Sequence, residues 1–198
     1  MLQEESRGVP KTLPIVALGS NERDQFGGAR AIVKQAIAAL GRADLPVVAQ
    51  SRLYATPCFP AGSGPDFVNA VVQVDSRLSP EALLARLHAL EAEFRRVREK
   101  RWGPRTLDLD LLAMGDMVLP DETTQRHWAN LPLARQMEEA PARLILPHPR
   151  LQDRAFVLIP MADIAPNWRH PVTGNTVAGM LAALPAAEKA AIVPIEPG

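Results

Sequence analysis

The stretch Arg101–Leu112, RWGPRTLDLDLL, sets Asp108 and Asp110 two residues apart, with Leu107, Leu109 and Leu111 alternating around them. Side chains alternate across a β-strand, so this spacing predicts one leucine face and one carboxylate face, with the two Asp Cα atoms about 7 Å apart. Two carboxylates at that range repel by roughly 2 kcal/mol at an effective dielectric near 20, so the pattern asks for a cation between them. Mg²⁺ suits the pair, because it takes one or two carboxylates and fills its octahedron with waters and phosphate oxygens. Paired ions about 3.5–4 Å apart would also fit two Asp on one face. By itself the motif is equally an exposed strand face.

The residues just before it tip that balance. Arg95, Arg96, Arg98, Lys100, Arg101 and Arg105 set six basic side chains against one acidic residue, Glu99. Such a run often ends a helix, where cations suit the dipole. Here it continues through Trp102, Gly103 and Pro104, so part of the charge rides on a loop. A cationic arm beside two carboxylates matches triphosphate chemistry, in which metal ions and Arg neutralise charge on the transferring group. The chain has no G-x-x-x-x-G-K-[ST] loop and no dinucleotide fingerprint, so metal and Arg would have to hold the phosphates.

Outward from this block, Leu13–Asn21 (LPIVALGSN) reads as a buried strand entering a Gly-Ser-Asn turn. Gly27–Gly41 has helical spacing, with Ile32, Val33, Ala36, Ile37 and Leu40 on one face and Gly41 as the stop. Leu45–Tyr54 reads as one strand, and Asp66–Asp75 as another with Phe67, Asn69 and Val71 on a common face. Ser79 and Pro80 predict the cap and first position of a long helix running to Glu99. The stretch 116–142 fits one short helix, two, or a flap. The apolar segment after LPHPRLQDRAF reads equally as strand or helix, and the residues after Pro185 as a frayed tail. Strand, helix, strand, strand, helix, strand predicts an α+β sandwich of ferredoxin-like topology, an antiparallel sheet backed by helices. The expected division is a disordered leader over 1–12, one domain over 13–185 and a tail over 186–198.

The composition narrows the function. The 198 residues carry 22 basic and 22 acidic side chains, a neutral balance that argues against a general binder of nucleic acid or anionic membrane. The basic residues are mostly Arg, which favours bidentate recognition of phosphate or carboxylate. With one cysteine, Cys58, no intramolecular disulfide can form, and the expected compartment is the cytoplasm. No run reaches the length of a membrane span, and MLQEESRGVPKT lacks the order of a signal peptide. In PHPRLQDRAF, His148 sits between two prolines, followed by Arg154 and Phe156: a rigid turn, or oxygen contacts for phosphate. Asn69 among apolar neighbours needs partners for its amide, and a heterocycle's edge could supply them.

ALGSN, YATP, DFVNAVV, RRVREKRWGPRTLDLDLL and LPHPRLQDRAFVLIPMADIAP together closely resemble the 6-hydroxymethyl-7,8-dihydropterin pyrophosphokinases of folate biosynthesis, in the right order from about Ile15 to Thr176. The resemblance implies the ferredoxin-like fold, with loops around 19–26, 60–65 and 98–104 closing over two small-molecule substrates. It implies transfer of the pyrophosphoryl unit of ATP to the pterin's hydroxymethyl oxygen, with release of AMP. Asp108 and Asp110 match the ligands of two Mg²⁺, and Asp110 is also the nearest candidate for a base. Arg96 and Arg105 match the arginines that stabilise the transferring phosphates. Glu91, Arg98, Leu111, Arg143, His148 and Arg154 match the ATP site, with Arg101 or Lys100 as a further basic contact. Thr56, Pro57, Phe59, Phe67, Asn69, Trp102 and Phe156 match the pterin pocket. The expected protein is a monomer without nucleic-acid or membrane partners.

The chain departs from the pattern in three places. The basic arm is about one residue short, His88 stands where a Gln is expected near the nucleotide, and 120–141 is much longer than a short hairpin. That segment is expected to be a surface insertion, since exposed loops accept insertions cheaply. Three rival readings exist. A nucleotidyl-transfer enzyme on a similar sheet would leave the pterin set unexplained. An RNA-binding module using the Arg arm would waste the Asp pair. An inactive relative would have little reason to keep Asp108, Asp110, Arg96 and Arg105 together.

Overall fold

The computed structural model describes residues 13–22, 27–58, 64–94, 106–132, 135 and 138–196. Its sheet is built on β1 (Pro14–Ser20), which pairs antiparallel with β4 (Phe67–Val74) on one side and β5 (Asp108–Met114) on the other. β2 (Val47–Gln50) and β3 (Tyr54–Thr56) follow one another along the free edge of β4, and β6 (Val193–Pro194) pairs with β3. The order β5-β1-β4-β3-β6, with β2 on β4, is the antiparallel ferredoxin-like arrangement read from the sequence.

Alternation divides the core into two layers. Val16 and Leu18 of β1, with Leu107, Leu109 and Leu111 around β5, pack against α1 (Gly28–Arg42) and α2 (Pro80–Glu93). Ile15, Val71 and Leu112 face the other way, onto α4 (Ala155–Ile164) and α5 (Val177–Ala183); α3 (Glu122–Ala129) belongs to the segment after β5. The leucine face of the Asp108–Asp110 motif is buried as its spacing requires, and both Asp are only half-buried. α2 starts as expected, with the Ser79 hydroxyl accepting from the Ala82 N–H at 3.2 Å and Pro80 following. The expected continuation of that helix to Glu99 lies outside the described residues.

Three local expectations are corrected and one open alternative is settled. α1 runs through Gly41 to Arg42, and the left-handed residue that turns the chain is Asp44 (φ 58°), whose neighbour Leu45 donates back to the Leu40 carbonyl. Asp tolerates that conformation well, so Gly was not required there. The strand expected over 45–54 is two, because one extra residue bulges where Gln50 opposes Val72 and Tyr54 opposes Asn69. Ser51 closes the gap: its N–H donates to the Val71 carbonyl at 2.9 Å, and its hydroxyl accepts from the Val71 N–H at 3.0 Å. The apolar segment after Arg154 is the helix α4, with Pro160 inside it. The tail is not frayed up to residue 196. It forms α6 (Ala186–Ala190) and β6, held by Ile195 N–H on the Leu53 carbonyl at 2.8 Å and Arg30 on the Glu196 carbonyl at 2.8 Å.

A carboxylate outside the expected site ties β3 to α4. Asp163 accepts from Arg52 through Nη2 (2.8 Å) and Nε (3.1 Å), and from the hydroxyl of Tyr54, the chain's one tyrosine, at 2.8 Å. Burial, then the bond to Asp163, raises the Tyr54 hydroxyl to about 12. Burial would raise Asp163 as well, but the bonds from Arg52 and Tyr54 outweigh it and hold the carboxylate ionised.

Ser51→Ala leaves the buried Val71 N–H without its acceptor and should cost about 1–3 kcal/mol of stability. Urea unfolding checks this through a lowered midpoint at unchanged slope.

Candidate active site

The strand register lines up one row of side chains across the sheet. Gly19 lies opposite Asp108 on one side and Asn69 on the other, and Asn69 in turn opposes Tyr54. One step along, Ala17 lies between Asp110 and Val71. Asp108, Asp110, Asn69 and, from its spacing on β4, Phe67 therefore share one face, with only Gly and Ala on the strand between them. The absent side chain at position 19 has a purpose. A Cβ there would meet the Asn69 Oδ1 at 2.8 Å, well inside normal contact, so the glycine gives the amide its space. That amide is fixed at its other end, where Asn69 Nδ2 donates to the Thr56 hydroxyl at 2.8 Å, both residues being buried.

The carboxylate end is held by two elements outside the sheet. The Leu109 N–H, between the two Asp, donates to Glu91 Oε1 of α2 at 2.8 Å. Glu91 is 3% exposed and lines neither of the two cavities described below; its observed role is to anchor β5. His148 is bound to the same strand by its backbone N–H on the Leu112 carbonyl at 2.8 Å, and its Nδ1 accepts from the Arg150 N–H at 3.1 Å. Part of its surface still meets solvent. Even so, burial, then the charges of Arg154 and Arg150, hold the imidazole neutral, its pKa down to about 3 against an opposing pull from Asp108. Nδ1 is the acceptor, so Nε2 carries the proton and is the ring's available donor.

Arg154 lies just before α4. Its Nη1 is 3.8 Å from the Asp110 Oδ2, and its guanidinium lies 5.5 Å from the centre of the Phe156 ring. At that separation Asp110 keeps its lone pairs, and its carboxylate is 38% exposed. Among the described residues no cluster of three or more His, Cys, Asp or Glu could hold a metal. The donor set is two carboxylates on one open face. That suits a hard cation completed by water and phosphate oxygens rather than a closed protein cage.

A cavity of about 430 Å³ opens beside Asp110 and is lined by Leu111, Arg143, His148 and Arg154. It thus gathers five of the residues expected at the metal and ATP sites. A second, of about 630 Å³, shares Arg143 and Leu144 with it and reaches His88 on α2. Thr56, Phe67 and Asn69 stand together at the β3–β4 end, whereas Pro57 is exposed beyond β3. Phe59, Arg96, Arg98, Arg101, Trp102 and Arg105 lie outside the described residues. The sequence reading missed Trp128, Glu139 and Arg150 in the wall of the first cavity. Trp128 and Glu139 come from the segment expected to be a plain surface insertion. Nothing in the spacing of TTQRHWANL points toward β5, so no local signal was there to find.

Known proteins resemble this chain along most of its length. The family model for 7,8-dihydro-6-hydroxymethylpterin-pyrophosphokinase (HPPK) matches residues 15–166. A 2-amino-4-hydroxy-6-hydroxymethyldihydropteridine pyrophosphokinase from Pseudomonas aeruginosa is 40% identical over 171 residues, covering 86% of this chain and 90% of its own. Its namesake from Methylorubrum extorquens is 36% identical, covering 87% and 94%. A Synechocystis namesake is 40% identical over 68% of this chain, which spans 57% of that protein. In solved structures, wild-type Plasmodium falciparum HPPK-DHPS with pterin and p-hydroxybenzoate aligns with TM-score 0.60 at 15% identity, over 89% of this chain and 44% of that one. The A437G variant of that protein with pteroate aligns with TM-score 0.62 at 15% identity, over 91% and 44%. At such identity these show a shared fold, and this chain spans under half of the fused protein. On the family match and the relatives it resembles along most of their length, the chain belongs to the 7,8-dihydro-6-hydroxymethylpterin-pyrophosphokinase family.

Proposed function

We propose that this sheet face is where the chain transfers the pyrophosphoryl group of ATP to the hydroxymethyl oxygen of 6-hydroxymethyl-7,8-dihydropterin, releasing AMP, the reaction of folate biosynthesis for which its relatives are named. The observation that carries this placement is the row Asp108–Gly19–Asn69, which sets a carboxylate pair and a fixed amide on one face, with a cavity between β5, His148 and Arg154 beside it.

The pterin end lies at β3–β4. Asn69, held by Thr56, presents its Oδ1 over Gly19 as an acceptor for the amino edge of the heterocycle, and Phe67 with Phe156 offers aromatic faces for its ring. Pro57, Phe59 and Trp102 complete the proposed pocket. The nucleotide end lies in the cavity, where Arg154, Arg143 and the Nε2–H of His148 meet the triphosphate; the neutral imidazole acts as a donor there, not as a cation. Leu111 lines the nucleotide's apolar side. Glu91 acts by holding the strand that carries both Asp.

Asp108 and Asp110 would hold two Mg²⁺. When bound, Mg²⁺ supplies Lewis-acid neutralisation of the phosphate oxygens. The protein's own part is to bring the hydroxymethyl oxygen in line with the β-phosphorus and to exclude water, which supplies much of the acceleration in such a transfer. We assign Arg96 and Arg105 to the transferring phosphates, with Arg98 and Arg101 as further contacts to ATP. Asp110 is the nearest acceptor for the hydroxyl proton. We further place the protein in the cytoplasm as a monomer acting on small molecules. The neutral charge balance and single cysteine support this, and no described helix is long and apolar enough to cross a membrane.

Phosphorus NMR of a reaction containing ATP, Mg²⁺ and the hydroxymethyl-dihydropterin tests the reading. AMP with a pterin diphosphate is expected; ADP, or pyrophosphate without a pterin product, overturns it. Asp110→Ala should lower turnover by several orders of magnitude with a far smaller effect on pterin binding, as stopped-flow assays and equilibrium titration would read. Gly19→Ala should push the Asn69 amide off Thr56 and raise KM for the pterin about tenfold, as expected for a misplaced polar contact, while KM for ATP stays near wild type. Steady-state kinetics in both substrates separates the two.

A further inference from the structure

The segment 116–142 is not a detached flap. Asp121 caps α3 by accepting from the Thr124 N–H at 2.8 Å. Leu119 bridges to Leu146 through paired backbone bonds of 2.8 and 3.1 Å. Gln125, 1% exposed, donates through Nε2 to the Pro147 carbonyl at 3.3 Å, immediately before His148. Arg126 Nη2 donates to the Val172 carbonyl at 2.8 Å, tying the helix to the loop before α5. With its two neighbours on the helix so engaged, Trp128 is placed by the fold and not by chance contact.

Trp128 is half-buried and lines the same cavity as Asp110 and Arg154. Its indole N–H has no partner among the described residues, and its one ring neighbour is His127, edge-on at 5.9 Å. The cavity lining is mixed: Asp110, Glu139, Arg143, His148, Arg150 and Arg154 are ionic or polar, and Leu111, Leu144 and Trp128 are among its apolar members. A ligand with a polyanionic part and a flat apolar part matches both kinds of lining, and a nucleoside triphosphate is such a ligand.

We propose that Trp128 is a nucleotide-binding residue: its indole forms an aromatic wall against which the base of ATP stacks, with Leu111 and Leu144 as apolar members of the same cavity lining. The inference rests on the nucleotide reading given above. A helix docked through Gln125 and Arg126, and entered from the Leu119–Leu146 bridge, delivers the ring with little ordering cost, so the stacking surface is in place before the nucleotide arrives. The segment after β5 therefore serves binding of the base, while the phosphate contacts belong to β5, His148 and Arg154.

The test is calorimetric titration of the full chain with Mg²⁺ and either α,β-methylene-ATP, whose Pα–C–Pβ link blocks transfer, or inorganic tripolyphosphate. Base stacking on an aromatic residue predicts that Trp128→Ala weakens the methylene analogue by roughly 5- to 100-fold. Tripolyphosphate affinity should stay unchanged, because it has no base, and Trp128→Phe should recover most of the lost affinity. A thermal melt of each variant shows whether α3 has stayed docked. Wild-type affinity of Trp128→Ala for the analogue, or an equal loss for tripolyphosphate, overturns the proposal and leaves the phosphate site intact. If Arg154→Ala binds both ligands as wild type does, the cavity does not hold the triphosphate, and the nucleotide reading itself falls.

Discussion

The hydrogen bond from the Leu109 N–H to the buried Glu91 carboxylate governs the site. Among the described residues β5 is an edge strand, paired only with β1, and an edge strand carries unpaired backbone groups that must be satisfied or shielded. Glu91 meets one such donor at the point between Asp108 and Asp110. Leu107, Leu109 and Leu111 anchor the opposite face in the core. A slip of one residue would bury two carboxylates and expose three leucines, so core and site enforce the same register. The Leu112 carbonyl then accepts from His148, which brings the loop carrying the cavity's polar lining onto the same strand.

Across the sheet, the site depends on a missing side chain as much as on those present. Gly19 between Asp108 and Asn69 lets the amide lie over β1 while Thr56 holds its far end. The carboxylate pair and the Asn69 amide are thus separated by one strand that carries only Gly19 and Ala17 between them. That bare strip suits a transfer in which two substrates must meet in line. The Tyr54–Asp163–Arg52 cluster fixes the angle between β3 and α4, and with it the relation of Thr56 to Phe156.

The chemistry of the cavity is divided between parts of the chain with different constraints. Polar groups come from β5, from Glu139 and Arg143, and from the 148–154 loop, which the His148 N–H ties to the Leu112 carbonyl. The apolar wall is shared with α3, a helix that docks through Gln125 and Arg126 and not through a large hydrophobic face. Phosphate geometry is set by charge and metal coordination and allows little change. A base can stack on any suitably placed ring, so that wall need not come from the sheet itself.

Periodicity and local chemistry made much of this legible in the sequence. Alternation in DLDLL fixed the faces of β5, Ser79–Pro80 marked the start of α2, and the order of elements gave the sheet. These depend on neighbours along the chain, which sequence records directly. Tertiary structure alone decided the rest. The bulge at Ser51 answers to a partner on β4, and the order of the tail depends on the free edge of β3. Glu91 is a carboxylate whose partner is a backbone group 18 residues away. Trp128 reaches the site because Gln125 finds the Pro147 carbonyl, 22 residues on. Each is a contact between distant segments whose energy comes from burial and hydrogen-bond satisfaction in three dimensions, and no local pattern encodes which distant group will be the partner.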